Sequence, residues 1–341
     1  ELVNQQRICH IHAGTHKTAS TYIQSRLYQN RRLLARHGLL YEFPSRPGLK
    51  HKPLVSAANR TKWKRWKHYL ARYRNSEANL LLSAEQFTRT LCSRQRLKKI
   101  RSILEDHGFK LHVVIFIRPQ LDYMNSRYVH TLRRLYHSLS FDEYVESYAT
   151  NSLSDIYNYR RFFKPLLGSG VRCTFLPFSR QYGDPFLQLI NAVGLDKGMA
   201  YAAAVPGSEN VQPGVRGVWL SRLVVQRLER LGYNGHCLKN TSQVVRRIAE
   251  RQGWHEERYF GFSEALASKT LKHYERGNES FSQLVWNRPW GQVFPPQSIQ
   301  QCVFEPASQE EAERMEQLAD QIVAELASRN TKLEQAMRDS S

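Results

Sequence analysis

The chemistry-bearing residues of this chain gather first in Ile8-Cys9-His10-Ile11-His12-Ala13-Gly14-Thr15-His16-Lys17-Thr18-Ala19-Ser20-Thr21-Tyr22-Ile23-Gln24. A largely apolar run gives way to small, hydroxyl-bearing and cationic side chains and then to a helical pattern. The first N–H groups of a helix have no partner within it, and together with a lysine they bind anionic oxygens. Gly14, Thr15, His16, Lys17, Thr18, Ala19, Ser20 and Thr21 therefore read as a phosphate-gripping loop, with Lys17 as the full charge and Thr18, Ser20 and Thr21 as hydroxyl donors. The plainer alternative is a strand-to-helix turn whose Ser and Thr are caps. A second cation, Arg118, closes the apolar run Val113-Val114-Ile115-Phe116-Ile117, and Ser126 follows eight residues later. The planar fork of arginine suits phosphate, although Arg118 could equally pair with a carboxylate and Ser126 could be solvated. Glu85 follows a third apolar run, at 80–83, where a carboxylate could take a proton from a substrate. Ser83 and Gln86 also fit a capping box, which would make Glu85 an ordinary first-turn residue. His16, His12 and His51 are substitutes for the base, with the isolated His51 reading as a surface residue.

These positions need a scaffold. Apolar runs at 8–13, 80–83, 111–117 and 171–176 have the length of buried strands. Helical patterns lie between them at about 19–36, 63–74, 95–107, 120–135, 155–167 and 184–193. Alternation of this kind predicts an α/β fold, a central parallel sheet with helices on both faces. Ligands of such sheets gather at the C-terminal ends of the strands, where all three groups fall. After Gly194 the pattern is mainly helical, with helices expected at 215–231, 241–252, 263–274 and 309–329. The expectation is a single domain over 1–341, with a donor-binding core at 7–200 and a helical part at 201–341. Residues 202–214 read as a linker or active-site loop.

The loop is not a Walker A motif, since His16 stands where that motif has glycine before its lysine. The strand at 111–117 ends in Arg118 and offers no acidic residue for magnesium. The segment instead resembles the 5′-phosphosulfate loop of sulfotransferases that use 3′-phosphoadenosine 5′-phosphosulfate, in the Lys-Thr-Gly-Thr-Thr form of bacterial and carbohydrate-directed members. Residues 113–119 with Ser126 resemble that family's 3′-phosphate motif. Looser similarity runs through 162–195 and 274–285. The resemblance implies a P-loop-like three-layer α/β/α fold and transfer of a sulfuryl group to a hydroxyl of a carbohydrate or glycolipid, acidic or neutral, without a metal. Lys17 would stabilise the leaving oxygen, with Glu85 or His16 handling the proton; several carbohydrate-directed members place a catalytic Glu after a comparable strand. Ala19 departs from the family's glycine, and the Arg-Lys-Gly-rich donor segment of cytosolic members is missing. The rival enzyme reading is a P-loop nucleotide kinase. The rival without chemistry is a polyanion- or nucleic-acid-binding protein.

Composition narrows the partners. A net charge of +20 and a pI near 9.9 attract anions. The resemblance, by contrast, implies no nucleic acid. No apolar run is long enough to span a bilayer. Five widely spaced cysteines without a Cys-x-x-Cys pair argue against a disulfide scaffold and suit a cytoplasmic location. Three sequons, at Asn59, Asn240 and Asn278, keep a Golgi-lumen alternative open if an N-terminal anchor was trimmed. Trp63, Trp66, Leu70 and Tyr73 recur at helical spacing among basic residues, which predicts an inward aromatic stripe and a solvated basic face. Met315, Leu318, Ile322 and Leu326 form a similar stripe near the C-terminus, and no feature specifies an oligomer.

Overall fold

Residues with long β-branched and leucine-rich runs form strands here because both faces of the sheet are covered. The computed structural model describes residues 6–44, 50–150, 155–205 and 212–339. Of the suspected linker at 202–214, residues 206–211 lie outside the described residues. Strand β1 (Arg7–His12) leads into α1 (Ser20–Arg36) and the short β2 (Leu39–Leu40). Helices α2 (Lys52–Asn59) and α3 (Trp63–Ala71) precede β3 (Asn79–Ser83), and α4 (Phe87–Leu91) and α5 (Arg94–Asp106) precede β4 (Phe109–Ile117). Next come α6 (Gln120–Arg133), α7 (Phe141–Thr150), the one-turn helices α8 (Tyr159–Phe162) and α9 (Lys164–Leu167), β5 (Arg172–Pro177) and α10 (Pro185–Ala192). The remainder is helical: α11 (Gly214–Arg230), α12 (Val244–Arg251), α13 (Glu264–Trp286), α14 (Trp290–Val293), α15 (Gln309–Ala327) and α16 (Thr331–Asp339).

Contacts group residues 1–119, 156–210 and 274–296 into one compact unit and residues 120–155, 211–273 and 297–341 into a second. The first holds the whole sheet, in the order β2-β3-β1-β4-β5, every pairing parallel. The chain moves one way across the sheet from β1 to β2, then the other way through β3 and β4. Right-handed crossovers therefore place α1 on one face and α2 to α5 on the other. Packing agrees: Leu81, Val114 and Phe116 of the strands meet Ile23, Leu27 and Leu34 of α1 and Phe186 and Leu189 of α10. On the far side α5 lies on β4 and packs with α3 and α9. The unit is an α/β structure with helices on both sides of an all-parallel sheet, as the alternation predicts.

The aromatic stripe of α3 points inward, with Trp66, Tyr69 and Leu70 buried and the Trp66 indole donating to the Leu54 carbonyl at 2.9 Å. Arg7 ties the sheet's rim together. Its guanidinium donates to the carbonyls of Tyr73, Ser76 and His107 at 2.6, 2.7 and 2.6 Å and lies 4.1 Å from the Phe109 ring centre. The neighbouring Gly108 is at φ +78°, and a Cβ there would approach Arg7 Nη2 to 2.9 Å.

Several elements depart from the periodicity. The 155–167 helix is broken into α8 and α9, because Pro165 can begin a helix but not continue one. Helix α13 runs past its expected end through Gly277, whose missing side chain admits Asn158. Strand β2, two residues long, carries no periodic signal, and α2, α4, α7, α14 and α16 were likewise not expected.

In the second unit α11 packs against α6, α12 and α15. Tyr128 anchors an aromatic cluster with Phe141, Tyr144 and Tyr259. The stripe of α15 covers this unit itself, with Met315, Ile322 and Leu326 buried. All five cysteines are free, Cys9 buried and Cys173 half-buried. Among the described residues no helix is long and apolar enough to cross a membrane.

Candidate functional site

Three central strands bring the candidate residues to one edge. His12 is level with Ser83 of β3 and Val114 of β4, and β4 then runs on to Ile117. Gly14 to Thr21 follow β1, Glu85 follows β3 and Arg118 follows β4. The chain leaves β1 toward β2 and leaves β4 toward β5, in opposite directions across the sheet. Open parallel sheets form their ligand crevice where such paths diverge.

The loop after β1 is pinned from behind. The Ala13 N–H donates to the Val114 carbonyl at 2.9 Å and the Thr15 hydroxyl to the Phe116 carbonyl at 3.1 Å. Thr88 of α4 reaches the Ala13 carbonyl at 2.6 Å and also the Gly14 carbonyl. Thr18 donates to the Thr15 carbonyl at 2.7 Å, so its hydroxyl hydrogen is committed inside the loop rather than offered as a donor. Arg118 Nη1 donates to the Lys17 carbonyl at 2.7 Å. The two cationic residues expected to grip the ends of one ligand thus share a hydrogen bond.

With the carbonyls turned inward, the N–H groups of Thr18, Ala19, Ser20 and Thr21 meet no carbonyl among the described residues. The Ser20 hydroxyl is buried beside Gly14 and has no hydrogen-bond partner there either. A buried polar atom of this kind costs free energy unless something supplies a partner. Successive main-chain donors around a left-handed turn form a concave nest for anions.

The backbone is strained to make that nest. Gly14 has φ +55°, and Lys17 and Ala19 have φ 68° and 57°, where a side chain crowds the main chain. Ala19 is also the N-cap of α1, with no side-chain cap bond. Ala19→Gly should therefore raise stability by about 1 kcal/mol, less the entropy that glycine adds to the unfolded chain. A rise in the urea midpoint at unchanged m-value is the expected reading, and a fall would mean the left-handed turn is not strained.

Glu85 sits in the turn between β3 and α4. The capping box does not form, since α4 begins at Phe87 and the Ser83 hydroxyl instead meets His12 Nδ1 at 2.8 Å and Gln24 at 3.2 Å. His16 Nδ1 lies 3.6 Å from Glu85 Oε1. Burial pushes the Glu85 carboxyl up, but the bond and charge of His16, with Lys50 and Lys17 beyond, outweigh it and hold it at about 2. His12 and His51 are removed as candidate bases. Both are fully buried, and His51 is not the surface residue its isolation suggested. Its Nδ1 accepts from the Ser83 N–H at 3.0 Å, so Nε2 carries the hydrogen that meets the Glu42 carbonyl at 2.6 Å.

Arg118 lies over the Phe178 ring at 5.7 Å, and its carbonyl accepts from the Tyr159 hydroxyl. Ser126 is half-buried on α6, in the second unit. Thr88 is the contributor that sequence reasoning missed, since nothing local marks a threonine far along the chain as the anchor of residues 13 and 14. Among the described residues no three His, Cys, Asp or Glu are grouped to hold a metal ion. Comparison with protein-family models, curated proteins and solved structures returned no match.

Proposed function

We propose that the chain is a sulfotransferase of P-loop-like architecture that moves a sulfuryl group from 3′-phosphoadenosine 5′-phosphosulfate to a hydroxyl of a carbohydrate or glycolipid. The observation that carries this reading is the Arg118–Lys17 hydrogen bond, which joins the cation after β4 to the nest after β1. A nucleotide with phosphate on both its 5′ and 3′ sides needs two adjacent anion sites of this kind. The loop N–H groups and Ser20 would hold the 5′-phosphosulfate, and Arg118 the 3′-phosphate.

In the reaction the acceptor oxygen bonds to sulfur as the bond from sulfur to the 5′-phosphate oxygen breaks, and the electron pair leaves on that phosphate. Lys17 balances the charge growing there. The acceptor's proton must also depart. A carboxyl held at about 2 is ionised at neutral pH but binds a proton weakly. Glu85 is therefore assigned to orienting His16 and balancing its charge, and His16 to receiving the proton, the division of work found in acid–histidine pairs. Replacing Glu85 by Gln should lower turnover about a hundredfold, with the double change at His16 and Glu85 little worse than either alone. Near-normal turnover in a folded Glu85→Gln protein removes the pair from the mechanism.

Calorimetry separates this reading from its rivals. Selective, metal-independent binding of 3′-phosphoadenosine 5′-phosphate is expected. Preference for ATP with magnesium would establish the kinase reading, and preference for RNA the nucleic-acid-binding one.

A further inference from the structure

Between residues 50 and 101 the chain carries fifteen Lys and Arg against two Glu, whereas the rest holds thirty-five against twenty-eight. The protein's excess charge is therefore concentrated in one segment, not spread over its surface. That segment comprises α2 to α5 and β3, and the four helices pack on one another over one face of the sheet. Their apolar sides are buried through Leu54, Trp66, Leu70, Leu97 and Ile100. Lys64, Arg65 and Lys67 of α3 and Arg94, Lys98 and Lys99 of α5 are exposed. Arg72 pairs with Glu42 at 3.6 Å and Arg101 with Glu105 at 2.8 Å. The six exposed cations just named meet no carboxylate among the described residues. An array of like charges without partners repels itself and destabilises the fold that carries it.

We propose that the exposed face of α2 to α5 is a docking surface for a linear polyanion, specifically a sulfated or carboxylated polysaccharide. Charge alone would also admit a membrane or a nucleic acid, but the aromatic residues argue otherwise. An interfacial helix turns Trp, Phe and Leu toward lipid, and single-stranded nucleic acid stacks on exposed rings. Here Trp66, Tyr69, Tyr73 and Phe87 point into the core and only Trp63 is half-buried, leaving a surface that recognises mainly by charge. Duplex readers insert a helix into a groove, whereas these helices lie side by side against the sheet. A flexible anionic chain can adapt to cations at irregular spacing. The surface also begins beside the strand ends, where the His51 N–H donates to the Ser83 carbonyl at 2.8 Å just before Glu85. The proposal does not depend on the sulfotransferase reading.

The test uses the full chain, a size-defined heparin oligosaccharide, duplex RNA and phosphatidylserine vesicles, titrated at several salt concentrations. Two triple variants, Lys64→Gln/Arg65→Gln/Lys67→Gln and Arg94→Gln/Lys98→Gln/Lys99→Gln, and their combination supply the contrast. The combined variant should bind the oligosaccharide at least about tenfold more weakly and with a shallower salt dependence, each triple falling between. Binding of 3′-phosphoadenosine 5′-phosphate, measured alongside, should persist in all of them. Unchanged oligosaccharide affinity in the folded triple variants overturns the proposal, as does tighter wild-type binding to RNA or vesicles. Loss of bisphosphate binding in the wild type, with oligosaccharide binding intact, would instead count against the donor site and leave this surface standing.

Discussion

Lys17→Met lowers turnover by about 10²- to 10³-fold while the affinity for 3′-phosphoadenosine 5′-phosphate changes far less, if Lys17 acts on charge that develops only as the sulfur–oxygen bond breaks. Several features make this substitution informative. The Lys17 contact to Arg118 is made by its main-chain carbonyl, so the loop keeps that anchor whatever side chain stands there. Methionine bears the same left-handed backbone at φ 68° as lysine, so strain is unchanged. The N–H groups of Thr18 to Thr21 and the Ser20 hydroxyl are untouched by the change. Steady-state kinetics with donor and acceptor varied separately give the answer. A raised KM at unchanged kcat would assign Lys17 to ground-state binding and take it out of the chemical step.

Acidification from pH 7 to 5.5 should lower the unfolding free energy by roughly 5 kcal/mol, a large part of a typical domain's stability. The cause is four buried histidines. Burial holds His12 and His51 at about 4, below the ordinary value of 6.5. His10 and His112 share a hydrogen between their Nδ1 atoms at 2.7 Å, and burial, then neighbouring positive charge, lowers both. The sign follows directly. Above pH 6.5 all four are neutral folded or unfolded, and pH has no purchase on them. Below it the unfolded chain takes up about four protons that the folded chain refuses, so stability falls until the folded values, about 4 for His12, His51 and His112 and about 3 for His10, are reached. Urea titrations at a series of pH values measure the slope. His10→Leu/His112→Leu should flatten it by about two protons, and a curve level between pH 7 and 5.5 would mean the four rings are not held neutral in the folded state.

How far the chain could be read beforehand depends on the range of the interaction. The strands and the loop after β1 were legible because apolar length, small residues and a helix start are local signals within 8–24. Arg118 at a strand end was legible for the same reason. Its hydrogen bond to Lys17 was not, since it joins residues 101 positions apart through strand order. The left-handed turns at Lys17 and Ala19 carry no glycine to announce them. Glu85 could be placed at a strand end, but its partner could not: the capping-box pattern at 83–86 offered a local explanation that lost to His12 and Gln24. His10, His12 and His51 look like polar residues in or beside strands, and only the folded chain reveals their hydrogen-bond partners. The interleaving of the two units likewise leaves no linker or change of composition at Pro119.

The hydroxyl and guanidinium bonds behind the first loop have a consequence for ionic selectivity. The carbonyl oxygens of Thr15 and Lys17 accept from Thr18 and Arg118, and those of Ala13 and Gly14 share the single hydroxyl hydrogen of Thr88. Each of these oxygens already accepts a hydrogen bond from behind the loop, whereas the N–H groups of Thr18 to Thr21 meet no carbonyl among the described residues. On the proposed reading, such a rim would favour an anion over a cation by the sign of its electric field before shape is tested.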